Sequence, residues 1–230
     1  LTKKSQKNSD RAQEYDGLIW AETFKSHGIG EKFHNSWFFN YETDTEKQKK
    51  NLEGMKAYCR RNTSIALIGD VGRGKTHLAT AVLKDAIICG QKRPERKSFE
   101  KQNGQDHFYY QKPVYAGHYY TLLDLHRRYR ESQKSDEISE VDFMDRIYTM
   151  KCLVIDEIQI KSDSESEQRM FQDIIDRRYA NNLQTIYIGN VSYSSLCEII
   201  GKRLMDRLEE NGLKIMTFKG DSYRSKNSDL

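Results

Sequence analysis

The chain has 230 residues, and Lys plus Arg exceed Asp plus Glu by 38 to 34, a net charge of +4. That length carries one α/β domain with a substantial core, while the mild charge excludes a globally basic nucleic-acid binder, so any such contact rests on a local patch. No stretch approaches the roughly 20 apolar residues that cross a bilayer, and Cys59, Cys89, Cys152 and Cys197 stand far apart without a C-x-x-C pair, which points to a reduced protein, no membrane partner and a cytoplasmic location.

In chain order, residues 1–10 are polar and without period, as in a mobile linker, and the start at Leu1 instead of Met reads as a fragment or processed product. Aromatics recur from Tyr15 to Tyr41, followed by a helical pattern on Leu52, Met55, Ala57 and Tyr58. The short apolar run Ser64–Ile68 is a buried parallel strand. It leads into Gly69-Asp70-Val71-Gly72-Arg73-Gly74-Lys75-Thr76, a complete G-x-x-x-x-G-K-[ST] phosphate loop, and then a helix over His77–Cys89.

The spelling of the loop has a physical cause. Gly69, Gly72 and Gly74 admit backbone conformations that let successive N–H groups converge on phosphate oxygens. Lys75 reaches the β- and γ-phosphates, and the Thr76 hydroxyl ligates the Mg²⁺ that accompanies the nucleotide. A glycine-rich turn with an accidental lysine does not explain the strand before it and the helix after it.

Gly90–Lys112 carries six Lys or Arg against three acids and no sustained apolar period. It is expected to be a loop insertion, either solvated or a basic contact with Phe108, Tyr109 and Tyr110 available for stacking on bases. A strand is expected over Val114–Gly117, then a helix over Tyr120–Arg130 with Leu122, Leu123 and Leu125 inward, and another around Phe143, Ile147 and Met150. Cys152–Ile155 is a strand delivering Asp156 and Glu157 at its carboxyl end; the first carboxylate suits the Mg²⁺ shell and the second a water to be polarised. A helix over Glu165–Ala180 and a strand over Thr185–Gly189 follow. Asn190, at the tip of that strand, is either a γ-phosphate or water contact or an asparagine in a turn.

Gly69–Thr76, Cys152–Glu157 and Thr185–Asn190 resemble Walker A, Walker B and sensor 1 of an AAA+ ATPase. Gly201–Arg207, Asp221–Ser225, the His77-Leu-Ala continuation of the phosphate loop and Asp176-Arg-Arg178 are similar to the DnaC/IstB branch, and most of all to DnaC-like loaders of the replicative helicase. The resemblance spans about residues 27–226. It implies an AAA+ P-loop core, a parallel sheet flanked by helices, over 31–230. Too few residues follow Arg207 for a full C-terminal helical lid, and 1–30 is left as a flexible segment or a remnant of a partner-binding region. It implies ATP binding (with His77 beside the loop and Arg224 as a sensor 2 residue), Mg²⁺ on Thr76 and Asp156, and hydrolysis to ADP through Glu157, Asn190 and Arg207. Arg207 is then an arginine finger acting in trans within a homo-oligomer, with Arg203 as its rival. The implied partners are single-stranded DNA, met near Lys161–Ser166, and a replicative helicase, although the N-terminal domain with which such loaders bind it is not seen here. Two alternatives are an IstB-like transposition helper acting on duplex target DNA and a nucleotide-gated adaptor with little hydrolysis. The adenine contacts are expected from Phe38–Tyr41.

Overall fold

Strands that are apolar on both faces require cover on both faces, and that requirement organises this protein. The structure, a computed structural model, describes residues 17–91, 98–102, 105–109, 116–134, 139–160 and 164–220. Helices α1 (Gly17–Ser26) and α2 (Glu46–Tyr58) precede strand β1 (Ile65–Gly69) and helix α3 (Lys75–Gln91). Strands β2 (Ser98–Gln102) and β3 (Gln105–Tyr109) pair with each other. They are followed by β4 (Gly117–Thr121), α4 (Leu122–Ser132), α5 (Glu140–Thr149), β5 (Cys152–Asp156), α6 (Glu165–Ala180), β6 (Gln184–Gly189), α7 (Tyr193–Ile200), α8 (Lys202–Glu210) and β7 (Lys214–Phe218).

The main sheet is parallel, in the order β4-β5-β6-β1-β7. Alternate residues of each strand feed two cores. Ile65, Leu67, Val154, Ile186 and Ile188 pack under α1, α2 and α3; Ala66, Ile68, Leu153, Ile155 and Tyr187 pack under α4 to α8. Helix starts are set locally. The hydroxyls of Thr45, Thr121, Ser139, Ser164 and Ser192 each accept an N–H three residues on, which satisfies an otherwise orphaned donor.

One buried cation ties the second layer together. Arg178 on α6 is 1% exposed and donates to Ile147 O (2.7 Å) and Met150 O (2.8 Å) at the end of α5, and to Gln184 O (2.6 Å) and Thr185 Oγ1 (2.8 Å) at the start of β6. Burial pulls its pKa down to about 10, so it remains charged at neutral pH.

Several expectations need correction. The second strand of the sheet runs over Gly117–Thr121 instead of Val114–Gly117, because Tyr119, Tyr120 and Thr121 suit a pleated half-buried surface. Thr121 then caps a helix that begins at Leu122, and not at Tyr120. Leu123 is on the exposed side of that helix, whereas Leu122 and Leu125 are buried. Gly90–Lys112 is not a plain loop. It contains the antiparallel pair β2–β3, in register from Ser98↔Tyr109 to Gln102↔Gln105; the Asn103-Gly104 dipeptide between the strands is a strong hairpin signal that a reading by charge passes over. Tyr110 lies outside the described residues. So do residues 1–10, expected to be a mobile linker.

The boundary expected at residue 30 does not coincide with a break in packing, since Phe24 and Ile29 are buried in the first core. All four cysteines are free thiols, with Cys59 and Cys152 buried and Cys89 half-buried. Among the described residues no helix is long and apolar enough to cross a membrane.

Candidate nucleotide site

In an open parallel sheet the crevice outside the carboxyl ends of the strands, where strand order reverses, is where ligands bind. Here β1 is that point, flanked by β6 and β7. The carboxyl ends of β1, β5 and β6 deliver Gly69–Thr76, Asp156-Glu157 and Asn190 to one place. Gly69, Gly72 and Gly74 have φ of 118°, 73° and 79°, values that L side chains rarely adopt. Gly69 is doubly required, because a Cβ there would lie 2.1 Å from Phe218 O.

The loop is anchored on β7 by Asp70, whose N–H donates to Phe218 O (2.8 Å) and whose carboxylate accepts from Gly220 N (3.3 Å). The buried Arg73 guanidinium lies against Gly220, while Val71 is exposed. Lys75 is 5% exposed and donates to Gly69 O (2.7 Å), Asp70 O (2.5 Å) and Asn190 Oδ1 (2.9 Å). Burial lowers its pKa, with the charges of Asp156 and Asp70 acting the other way. The hydrogen bond to Asn190 joins the phosphate loop to the tip of β6 and places the strand-tip asparagine beside Lys75.

Thr76 Oγ1 donates to Asp156 Oδ2 (2.8 Å), and the Glu157 N–H donates to Asp156 Oδ1 (2.7 Å). Glu157 itself is exposed and has φ of 58°, a left-handed conformation that a non-glycine residue holds at some cost. The turn that imposes it is fixed by Ile158 N–H on Ile188 O (3.1 Å). Among the described residues no group of three or more His, Cys, Asp or Glu side chains could hold a metal by themselves. A hydroxyl paired with one carboxylate instead fits Mg²⁺, which keeps water and phosphate oxygens as its other ligands.

Two features of the site escaped sequence reasoning. Tyr119 donates from its hydroxyl to Asp156 Oδ2 (2.7 Å), and burial followed by the Asp156 charge raises its pKa, so it stays a donor. The expected strand ended at Gly117 and left Tyr119 in the connection before the helix, which hid this contact; at a strand end next to β5 the tyrosine reaches the carboxylate.

The second feature is an aromatic strap. His77 Nε2 bonds to Trp37 O (2.9 Å), the Tyr41 hydroxyl donates to Arg73 O (3.2 Å), and the Tyr41 ring lies where a side chain on Gly74 would stand. Lys84, fully buried on α3, donates to Phe33 O (3.0 Å) and His34 O (2.9 Å) and sits 3.9 Å from the Trp37 ring centroid. Residues 33–41 are thereby fastened along the phosphate-loop helix.

Burial pulls the Lys84 pKa down to about 7. The unfolded chain keeps that proton up to about 10.4, so between those values the unfolded state binds more protons and stability rises with pH. The wild type should therefore gain melting temperature relative to Lys84→Met from pH 7 to 8.5, with a slope of at most about 1.4 kcal/mol per pH unit. Parallel melting curves would mean that the Trp37 face and the two carbonyls keep the ammonium charged.

Arg207 is not part of this constellation. It lies on α8, in the layer opposite α3, where it pairs with Asp176 of α6 and stands 6.0 Å from the Tyr179 ring centroid. Arg203 lines a shallow depression with Asp173, Asp176 and Gly201. Arg224, the Asp221–Ser225 motif and Lys161–Asp163 lie outside the described residues.

The family model for IstB-like ATP binding proteins matches residues 21–93. The chain is 26% identical over 208 residues to the replicative helicase loader DnaC of Escherichia coli strain K12, covering 89% of this chain and 75% of that protein. A crystal structure of the DnaC helicase loader superposes with a TM-score of 0.63 at 20% identity, over 83% of this chain and 100% of that one. The replication initiator DnaA bound to AMPPCP and single-stranded DNA superposes with a TM-score of 0.59 at 19% identity, over 84% and 51%. The likeness to DnaC extends over most of the sequence and that to IstB-like ATP binding proteins over residues 21–93; among the described residues the fold is that of the AAA+ P-loop core, a five-stranded parallel sheet between helices with no C-terminal helical lid.

Proposed function

We propose that the chain is an AAA+ ATPase that binds single-stranded DNA and helps to place a replicative helicase, hydrolysing ATP to ADP and phosphate. The observation that carries this reading is the meeting of two pairs at the carboxyl end of the sheet, Lys75 donating to Asn190 and Thr76 donating to Asp156. In it the backbone N–H groups of Gly69–Thr76 cradle the phosphates, and Lys75 exchanges its carbonyl partners for β- and γ-phosphate oxygens. Thr76 and Asp156 would hold Mg²⁺, which would supply neutralisation of the charge on the phosphates. Glu157 orients and polarises the attacking water, and Asn190 contacts the γ-phosphate or that water. Arg224 serves as a sensor 2 residue, and Arg207 reaches the site of a neighbouring copy.

DNA contact is assigned to Lys161 and the serines up to Ser166, and the location to the cytoplasm. The likeness to DnaC loaders supports a helicase client, and the DnaA structure with single-stranded DNA supports the choice of nucleic acid. ATP turnover is expected to rise when single-stranded DNA and a replicative helicase are added, and to vanish in Lys75→Ala. DNA affinity should rise with ATP and fall with salt as counterions are released. Turnover indifferent to DNA and helicase would leave a solitary P-loop ATPase.

A second reading is favoured by the family model over residues 21–93. In it the chain is an IstB-like helper that acts on duplex target DNA during transposition. Tighter ATP-dependent binding to duplex than to single strands would reverse the ranking.

A further inference from the structure

Asp156 is held by more groups than the metal role assigned to it requires. Its Oδ2 accepts from both Thr76 and Tyr119, its Oδ1 accepts from the Glu157 N–H, and the residue is only 7% exposed. A carboxylate offers about four acceptor sites, so three are filled by donors from α3, β4 and the strand end itself. The terminal torsion of an aspartate is otherwise broad, and a carboxylate that turns freely would release the Thr76 hydroxyl with it.

Tyr119 is itself fixed. Its backbone N–H donates to His27 O (2.9 Å), its residue is in register with Val154 of β5, and Gly28 packs so closely that a Cβ would lie 2.2 Å from Tyr119 O. The phenol therefore projects from a clamped edge strand, and its single donor is committed to the carboxylate.

We infer that Tyr119 is a positioning residue for the metal site: its hydroxyl sets the orientation of the Asp156 carboxylate, and through it the Thr76 hydroxyl, before Mg²⁺ and nucleotide arrive. The inference rests on the nucleotide-site reading above. It assigns to β4, a strand that carries no phosphate-binding motif, a part in how little Mg²⁺ the protein needs. Partners of metal-site groups at this remove commonly change metal affinity by about 10-fold or more when removed.

The test is Tyr119→Phe, which deletes one oxygen and keeps the ring. Binding of a fluorescent ATP analogue is followed during Mg²⁺ titration and again in EDTA. The half-saturating Mg²⁺ concentration should rise about 10-fold, while affinity in EDTA stays within about twofold. In an Asp156→Asn background the same change should have little further effect on the Mg²⁺ curve, because the two groups act as a unit.

Overlapping Mg²⁺ curves for wild type and Tyr119→Phe would overturn the inference, as would equal losses with and without Mg²⁺, or additive effects in the double variant. If the wild type binds nucleotide without any Mg²⁺ dependence, the assignment of Thr76 and Asp156 falls and this inference falls with it. That outcome is distinguished by the wild-type curve alone.

Discussion

Arg207→Ala lowers ATP turnover about 10³-fold or more if its guanidinium stabilises the transferring phosphoryl group of a neighbour. Within its own subunit the side chain is on the face of the sheet opposite the phosphate-loop helix and is paired with Asp176, so action in cis finds no support in the geometry. The decisive experiment is a mixture. Lys75→Ala and Arg207→Ala are each expected to be inactive alone, and if the arginine acts in trans their mixture should contain composite sites with an intact phosphate loop from one subunit and an intact arginine from the other. Activity recovered on mixing establishes a trans finger, whereas a mixture as inactive as its components rejects it.

The Asp176 pair decides whether that arginine can be redeployed. Both side chains are about 40% exposed, and ion pairs of that kind are worth roughly 0–1 kcal/mol. Such a restraint is weak beside the charge that develops on a phosphoryl group. Asp176→Ala should therefore change turnover by no more than about fivefold, since 1 kcal/mol corresponds to that factor.

Arg178→Met produces the largest loss of stability, about 3–5 kcal/mol, and a fall in melting temperature of roughly 10 °C for a chain of this size. Two effects compete. Removing a fully buried cation relieves its desolvation, which by itself favours the variant. It also leaves the carbonyls of Ile147, Met150 and Gln184 without their donor, at about 1–3 kcal/mol for each one left buried and unpaired, and these backbone groups cannot move away together. The second effect wins because the three carbonyls belong to two different elements. Arg178→Lys should recover only part of the loss, since one ammonium cannot span the end of α5 and the start of β6 as the fork does. A Met variant that melts within about 3 °C of the wild type would show that the layer closes over without the clamp.

The three residues of the Asp176-Arg-Arg178 motif thus have unlike roles that sequence resemblance does not separate. Arg178 is structural, Asp176 holds the candidate finger, and Arg177 is an exposed side chain paired with Asp173. Helical spacing explains the division: 100° per residue turns adjacent positions to different faces, and only position 178 points into the second core.

What the sequence determined by itself was local chemistry. The phosphate loop is legible because three glycines, a lysine and a threonine at fixed spacing between an apolar run and a helical pattern have one good physical explanation. Cys152–Asp156 and Glu165–Ala180 were legible for a related reason, since unbroken apolar runs and a sustained 3.6-residue period are set by nearest neighbours. Where local preference was ambiguous, tertiary contacts decided. Tyr120-Thr121 fits either a helix start or a strand end, and pairing of residues 117–121 with β5 made it a strand, which in turn brought the Tyr119 hydroxyl to Asp156. The hydrogen bond from Lys75 to Asn190 joins residues 115 positions apart, and the Lys84 ammonium meets carbonyls some 50 positions away. No periodicity encodes such meetings; parallel pairing puts the carboxyl ends of β1, β5 and β6 at one end of the sheet, and the order β5-β6-β1 sets the phosphate loop, Asn190 and Asp156 near one another there.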